Sequence, residues 1–482
     1  MKNFLCSLVL MVALGLGTMA AQTGAQTEAS TVQASASTAQ NPADLGQKVE
    51  ELEGLVKQLQ SELTAMKQQQ AHPGPRGIAE VASTSMPSLH AASLAPNMED
   101  PPAAAAAPAP EKISLSGLLG PTTLSGFVDV FYGYNSNQPV GRANAFHNFD
   151  MNSSEIGLNM LELVADKPVS SDVKVGYHIA LGFGQGMNQV NGLDSGPGFP
   201  GTTTTPNFAQ NLKEAYLEYM APIGKGLQIN VGKFVTPAGA EVIETKDNWN
   251  YTRGLLFAWA IPYTHTGLSA KYTFNSKFAL TGFLLNGWNN SSETNFFNGN
   301  SGKTTGFSAA ITPNSKFTFI ENYLVGPEQR LNNSDFRHLS DTVIIYNANA
   351  KLSLMANYDY GHDAVPSGVV GVPSSAVWWS GIAGYIKYAP NDKWAFATRG
   401  EWFKDHNGFE TATGPDSLTL GEFTFTLQRM LASKIISRVE FRRDMGDRAV
   451  FPYRDPAVFN PIDHQNTVTI GLVYAFSSAD AK

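Results

Sequence analysis

Charged side chains supply most of the chemistry this sequence offers, and their spacing is informative. Glu241, Glu244, Lys246, Asp247 and Arg253 cluster in one short stretch. Elsewhere charges recur at even intervals: Lys174 and His178, Glu214 and Glu218, Arg399 and Glu401, and Arg438, Glu440 and Arg442. In an extended chain an even interval puts side chains on the same face. Rows of fixed charge of both signs suit ion pairing and acting on nearby ions rather than bond making. The nine histidines are scattered, and no pair has the helical spacing of metal ligands. Gly182-Phe-Gly-Gln-Gly186 closes an extended segment with no helix expected after it, which argues against a phosphate cradle. Cys6, the only cysteine, sits in an apolar leader, so the mature chain has no thiol chemistry, Cys-ligated metal or disulfide. A formal charge of −8 without a basic cluster argues against a nucleic-acid partner. No cofactor is implied and the chain reads as a non-enzyme, although a Ser-His-acid set assembled by the fold stays open as the alternative.

The elements that could hold such rows are long strands. Charged residues make up only 15% of the chain, Gly (44), Phe (28) and Tyr (16) are plentiful, and mean hydropathy is −0.16. That combination arises when apolar and polar residues alternate instead of clustering. From Leu124 onward, segments of about ten residues do alternate, long enough to cross a bilayer as tilted strands. Between 172 and 183, Val173, Val175, Tyr177, Ile179, Leu181 and Phe183 share one face, and Lys174 and His178 share the other with small residues. Similar runs occupy 267–274, 351–360 and 467–476. The expected architecture is an all-β transmembrane barrel of about sixteen antiparallel strands. Connections support it, since short Gly-, Pro-, Asn- and Ser-rich turns alternate with long ones at 135–154, 184–206, 236–265, 289–303 and 445–465. Aromatic pairs such as Tyr272 and Phe274, Tyr358 and Tyr360, and Tyr474 and Phe476 fall where interfacial girdles belong.

Ahead of the strands the chain changes character. Residues 1–21 read as a signal peptide, with Lys2 before a short apolar run and Ala20 and Ala21 near a cleavage site. Residues 22–42 are polar, and 43–70 carry Leu45, Val49, Leu52, Val56, Leu59, Leu63 and Met66 at a and d positions of a short coiled-coil helix. The alternative for that helix is a lone amphipathic segment on a neighbouring surface. Residues 71–112 form a Pro- and Ala-rich linker, and 113–482 the barrel.

The stretch Gly232-Lys-Phe-Val-Thr-Pro-Ala-Gly-Ala-Glu-Val-Ile-Glu-Thr-Lys-Asp-Asn-Trp-Asn-Tyr251, continuing to Arg253, Ala258-Trp-Ala-Ile-Pro-Tyr263 and His265-Thr-Gly267, is similar to a family of bacterial outer-membrane β-barrel porins described as OmpL-like. Weaker similarity extends to 124–134 and 286–290. The resemblance implies an outer-membrane barrel that conducts small solutes, with no assigned substrate. Thr469, Gly471, Tyr474 and Phe476 resemble the terminal signal read by the barrel-assembly machinery, although residues 477–482 follow it. By analogy with general porins, the third long loop would fold inward, making Glu241, Glu244, Lys246, Asp247 and Arg253 a constriction. The alternative is a solvated external loop, or a lid packed by Trp249, Tyr251, Leu255, Phe257 and Trp259.

The expected function is passive diffusion of small hydrophilic solutes through a weakly selective homotrimer in outer-membrane lipid, the coiled coil lying in the periplasm. Lys174, His178, Glu214, Glu218, Arg399, Glu401, Arg438, Glu440 and Arg442 would face the lumen, with pairing along the wall as the plainer role for each. A structural envelope tether and a gated, substrate-specific channel are the alternatives.

Overall fold

The computed structural model describes residues 120, 122–192, 208–291, 300–329, 332–366, 374–454 and 460–481. The signal peptide, the heptads from Leu45 to Met66 and the linker lie outside the described residues.

Sixteen strands run in chain order: β1 (Thr123–Asn135), β2 (Glu155–Lys167), β3 (Val175–Phe183), β4 (Leu212–Ala221), β5 (Leu227–Val235), β6 (Thr264–Asn275), β7 (Phe278–Leu285), β8 (Thr304–Asn314), β9 (Phe317–Gly326), β10 (Arg337–Asn349), β11 (Leu352–Val365), β12 (Ser375–Asn391), β13 (Trp394–Asp405), β14 (Leu418–Ala432), β15 (Ile435–Gly446) and β16 (His464–Ser477). Each pairs antiparallel with its chain neighbours, and β1 closes on β16 with Gly126 opposite Phe476 and Phe131 opposite Gly471. Closure leaves no unpaired sheet edge, as a strand protein needs in a bilayer. Connections alternate without exception between short ones, such as 276–277 and 350–351, and longer ones, such as 136–154 and 236–263.

The two faces of the wall have opposite chemistry. Val130, Tyr132 and Tyr134 of β1, Val439 and Phe441 of β15, and Ile470, Leu472 and Tyr474 of β16 are exposed on the outside. Asp129, Arg438, Glu440, Arg442, Thr467 and Thr469 alternate with them and are buried within. An apolar exterior around a polar interior suits hydrocarbon as the surrounding solvent. One carboxylate breaks the pattern: Glu321, midway along β9, shares the outward row of Phe319 and Tyr323. It accepts hydrogen bonds from Ser340 Oγ at 2.9 Å and Thr342 Oγ1 at 2.6 Å on β10, which offset part of its desolvation.

Two expectations need correction. Lys174 was read as lumen-facing, yet it stands just before β3 and is exposed, its carbonyl accepting the Met220 N–H at 2.9 Å. The strand starts at Val175, three residues later than the alternating run from 172 suggested, because the turn from β2 takes up those positions. No helix was expected after Gly182–Gly186, yet α1 (Gln185–Gly192) begins there. Met187, Val190 and Gly186 are buried, and Met187 packs over Gly182, so tertiary burial holds a short segment whose helix preference is weakened by two Asn and two Gly.

The core lies inside the barrel. The third long connection, residues 236–263, carries a 3₁₀ turn (Thr245–Asp247) and the short helix α2 (Leu255–Trp259). Its Trp249, Tyr251, Leu255, Leu256, Phe257, Ile261 and Tyr263 are buried in one cluster with Phe127, Phe131 and Met160 of the wall.

Candidate functional site

Three arginines on β13 and β15, the two strands that flank β14, clasp this loop from one side. Arg399 of β13 ion-pairs with loop Glu241 at 2.6 Å and wall Glu422 at 2.8 Å, and donates to the Thr252 carbonyl at 2.7 Å. Arg438 of β15 donates to the carbonyls of Thr245 and Asn248, both at 2.6 Å, and of Asn250 at 3.1 Å. Arg442 donates to the Arg253 carbonyl at 2.6 Å and pairs with Asp444 at 2.7 Å. A guanidinium presents several donors in a fixed fork, so one side chain can fix successive carbonyls of an irregular backbone.

The acids between the arginines take the loop's N–H groups. Glu440 accepts from Tyr251 N at 2.5 Å, Thr252 N at 2.9 Å and Thr252 Oγ1 at 2.6 Å, while Glu401 accepts from Leu255 N. Arg399, Glu401, Arg438, Glu440 and Arg442 are thus all on the inner face, buried, and engaged with loop backbone or loop carboxylate. Burial of so many charges is tolerable only because each has partners.

The opposite side of the loop meets β1, β2 and β4. Lys213 pairs with Glu162 at 2.6 Å and with loop Glu244. Asn159 donates to Asp129 at 2.5 Å and to Thr245 Oγ1 at 3.0 Å, and the Tyr251 hydroxyl donates to Asp129 at 2.8 Å. Two irregularities build this cradle. A register shift opposite Asp129 and Val130 makes Asn159 an extra residue, so it and Met160 are both buried, and a second opposite Ala180 and Leu181 does the same for Lys213 beside Glu214. Strict alternation places Lys213 outside, which is why sequence reasoning missed it; Glu422 and Asp129 fit the alternation and were legible.

The remaining residues singled out are placed as follows. Lys246 and Asp247 pair with each other at 2.5 Å and keep side-chain exposures of 30% and 20%, so of the five they are the ones open to solvent. Arg253 stacks over Phe149 at 4.4 Å and donates to the Tyr251 carbonyl at 3.0 Å. His178 pairs with Asp166 at 2.9 Å and stacks on Tyr216, with Glu214 Oε2 at 3.5 Å. Glu218 accepts the Val169 N–H at 3.1 Å beside the turn between β2 and β3. Gly471 faces inward beneath Tyr251; a Cβ there would come within 2.2 Å of the Tyr251 ring. Tyr474 is exposed on the outer wall, 6.1 Å from Phe476.

The first long connection reinforces the arginine side. His147 is fully buried with Nδ1 2.8 Å from Asp150 and Nε2 2.8 Å from Asp444. Burial and the Arg442 charge press its pKa down, but the two carboxylates outweigh them and raise it to about 9, so it is an imidazolium at neutral pH.

A closed sixteen-stranded barrel with an apolar exterior, a charged interior and a loop folded into it defines an outer-membrane porin. Residues 121–476 match the family model described as "Putative beta-barrel porin-2, OmpL-like", and the chain belongs to that family. No curated protein matches. Among solved structures, the chain is similar to the outer-membrane protein OmpT of Vibrio cholerae (10% identity, TM-score 0.47, covering 74% of this chain and 97% of that one). It is likewise similar to the anion-selective porin from Comamonas acidovorans (10%, 0.48, 74% and 99%). The outer-membrane channel DcaP of Acinetobacter baumannii is a third (12%, 0.45, 74% and 97%). At these identities nothing about solute or selectivity passes to this chain.

Proposed function

We propose that the protein is a narrow diffusion porin without enzymatic activity, in which residues 236–263 constrict the lumen and small hydrophilic solutes pass with weak ion selectivity. The observation that carries this reading is the two-sided anchorage of the loop, by Arg399, Arg438 and Arg442 on one side and Lys213 and Asn159 on the other. Weak selectivity follows from neutralisation. Glu241 is matched by Arg399, Glu244 by Lys213 and Asp247 by Lys246, which leaves little uncompensated charge to sort ions. The heptads at 45–66 support assembly as a homotrimer in outer-membrane lipid, and Gly471, Tyr474 and Phe476 support delivery by the barrel-assembly machinery.

The test is single-channel recording in planar bilayers of the wild type and of Arg438→Gln, which frees three loop carbonyls. Small stepwise openings that grow in the variant are expected. Silence from both proteins would point instead to a gated channel or an envelope tether. In a salt gradient, Glu241→Gln with Glu244→Gln should shift the reversal potential only slightly toward anions; no shift at all would remove these carboxylates from the ion path.

A further inference from the structure

The sequence scatters its histidines, but the register of the barrel brings two of them together on the outer wall. His338 of β10 stands directly opposite His362 of β11, with ring centroids 6.0 Å apart and planes inclined at 55°. Both side chains point away from the lumen, since their chain neighbours Leu339 and Asp363 are buried on the inner face. His362 continues the outward row of Tyr358 and Tyr360, both exposed, and His338 that of Ser340 and Thr342. The pair lies at the end of the barrel where the long connections emerge, beside Trp378, which faces His362 in the next register.

One of the two rings is already oriented. His338 Nδ1 lies 2.7 Å from the Tyr323 hydroxyl on β9. The two nitrogens of an imidazole point apart, so a ring held on the β9 side turns Nε2 away from β9 and toward β11, where His362 stands. When the Tyr323 oxygen accepts from Nδ1–H, the Nε2 lone pair is left for a metal, and such an outer partner is the usual companion of a ligating histidine. His338 Nε2 and both nitrogens of His362 have no hydrogen-bond partner among the described residues.

The separation suits a shared ion. With metal–nitrogen bonds of about 2.0–2.1 Å, two imidazoles on one tetrahedral ion stand about 5 Å apart between centroids, so closure by less than about 1 Å is enough. Imidazole ligates zinc and copper, whereas calcium and magnesium take oxygen. Among the described residues no three His, Cys, Asp or Glu side chains gather as a metal cluster, so water fills the remaining positions and the ion exchanges freely.

We propose that His338 and His362 bind one zinc-type divalent cation on the outer wall, with Tyr323 as the positioning residue for His338. The ion ties β10 to β11 at the rim. It lies outside the lumen, so the site stands whether or not the loop constricts the channel.

Protein folded in detergent and stripped with chelator is titrated with zinc chloride by equilibrium dialysis, with excess magnesium chloride as competitor and heat-dependent gel mobility as the check on folding. The wild type is expected to bind one more zinc per chain than His338→Gln with His362→Gln, and magnesium is expected not to displace it. Tyr323→Phe should weaken this binding about tenfold with gel mobility unchanged. Equal zinc uptake by the wild type and the double variant would overturn the site, and so would displacement by magnesium. If the double variant does not fold, His362→Gln alone decides: unchanged zinc affinity sinks the proposal.

Discussion

The walls formed by β13–β15 and by β7–β11 both line the lumen with polar side chains, but they meet the loop in different ways. On the first, Arg399, Arg438, Arg442, Glu401 and Glu440 find carbonyls, N–H groups or a carboxylate of residues 241–255. On the second, contact with the loop is thinner, represented by Ala240 and Asn357, and Thr281, Ser308, Asn322 and Asp359 keep oxygens without donors. A buried charge bonded to a loop fixes that loop, whereas a buried oxygen without a donor is a cost until something else arrives. In one barrel, inward polarity holds the loop on one wall and leaves part of the other wall's oxygens without donors.

The largest break in the comparison should come from Arg399→Leu. It leaves Glu241 and Glu422 buried without their guanidinium, at a cost of about 3–5 kcal/mol, and a sharply lower midpoint of heat-dependent gel mobility is expected. Arg438→Gln should follow at about 2–3 kcal/mol, because the three carbonyls it holds can turn to water once the loop moves; a conductance increase accompanies the loss. Gly471→Ala should cost about 1–3 kcal/mol by pushing Tyr251 away from Asp129. If instead it only slowed insertion, with the folded midpoint unchanged, the assembly signal would be its main role.

On the arginine side the pH response centres on His147. The His147 pKa is raised from an ordinary 6.5 to about 9 by Asp150 and Asp444 against burial and Arg442. Its stabilisation is therefore complete below pH 6.5 and is lost as pH rises through about 9. A midpoint that falls over this window in the wild type and not in His147→Gln is expected. The smallest effect belongs to the other wall: Thr281→Val should change stability by less than about 0.5 kcal/mol, or raise it, because no hydrogen bond is lost. A loss comparable to that of Arg438→Gln would erase the distinction between the walls.

Much of this was legible in the residues. Alternation over 172–183 and 467–476 gave strands close to β3 and β16, the count of alternating segments gave the strand number, and the order of short and long connections pointed to a closed membrane barrel. The inward rows at 399–401 and 438–442 follow from the same period of two. Lys213 was not legible, because a one-residue irregularity reverses the face of a strand segment without leaving a mark in composition. Gly182–Gly186 was misjudged because burial of Met187 and Val190, not intrinsic preference, makes the helix that follows. Gly471 carried two meanings, terminal motif and floor for Tyr251, and only the second needs coordinates.

The sequence by itself determined the period, the membrane-facing residues and the place of the long loop, because these depend on local alternation and on the free energy of moving side chains between water and hydrocarbon. Tertiary structure alone decided which charge meets which. Arg399 and Glu241 are separated by more than a hundred residues, and Asp341 faces Asp359 only through the register of β10 on β11. Partnership across a closed barrel depends on strand order, shear and the path of one loop, none of which is written in any single segment of the chain.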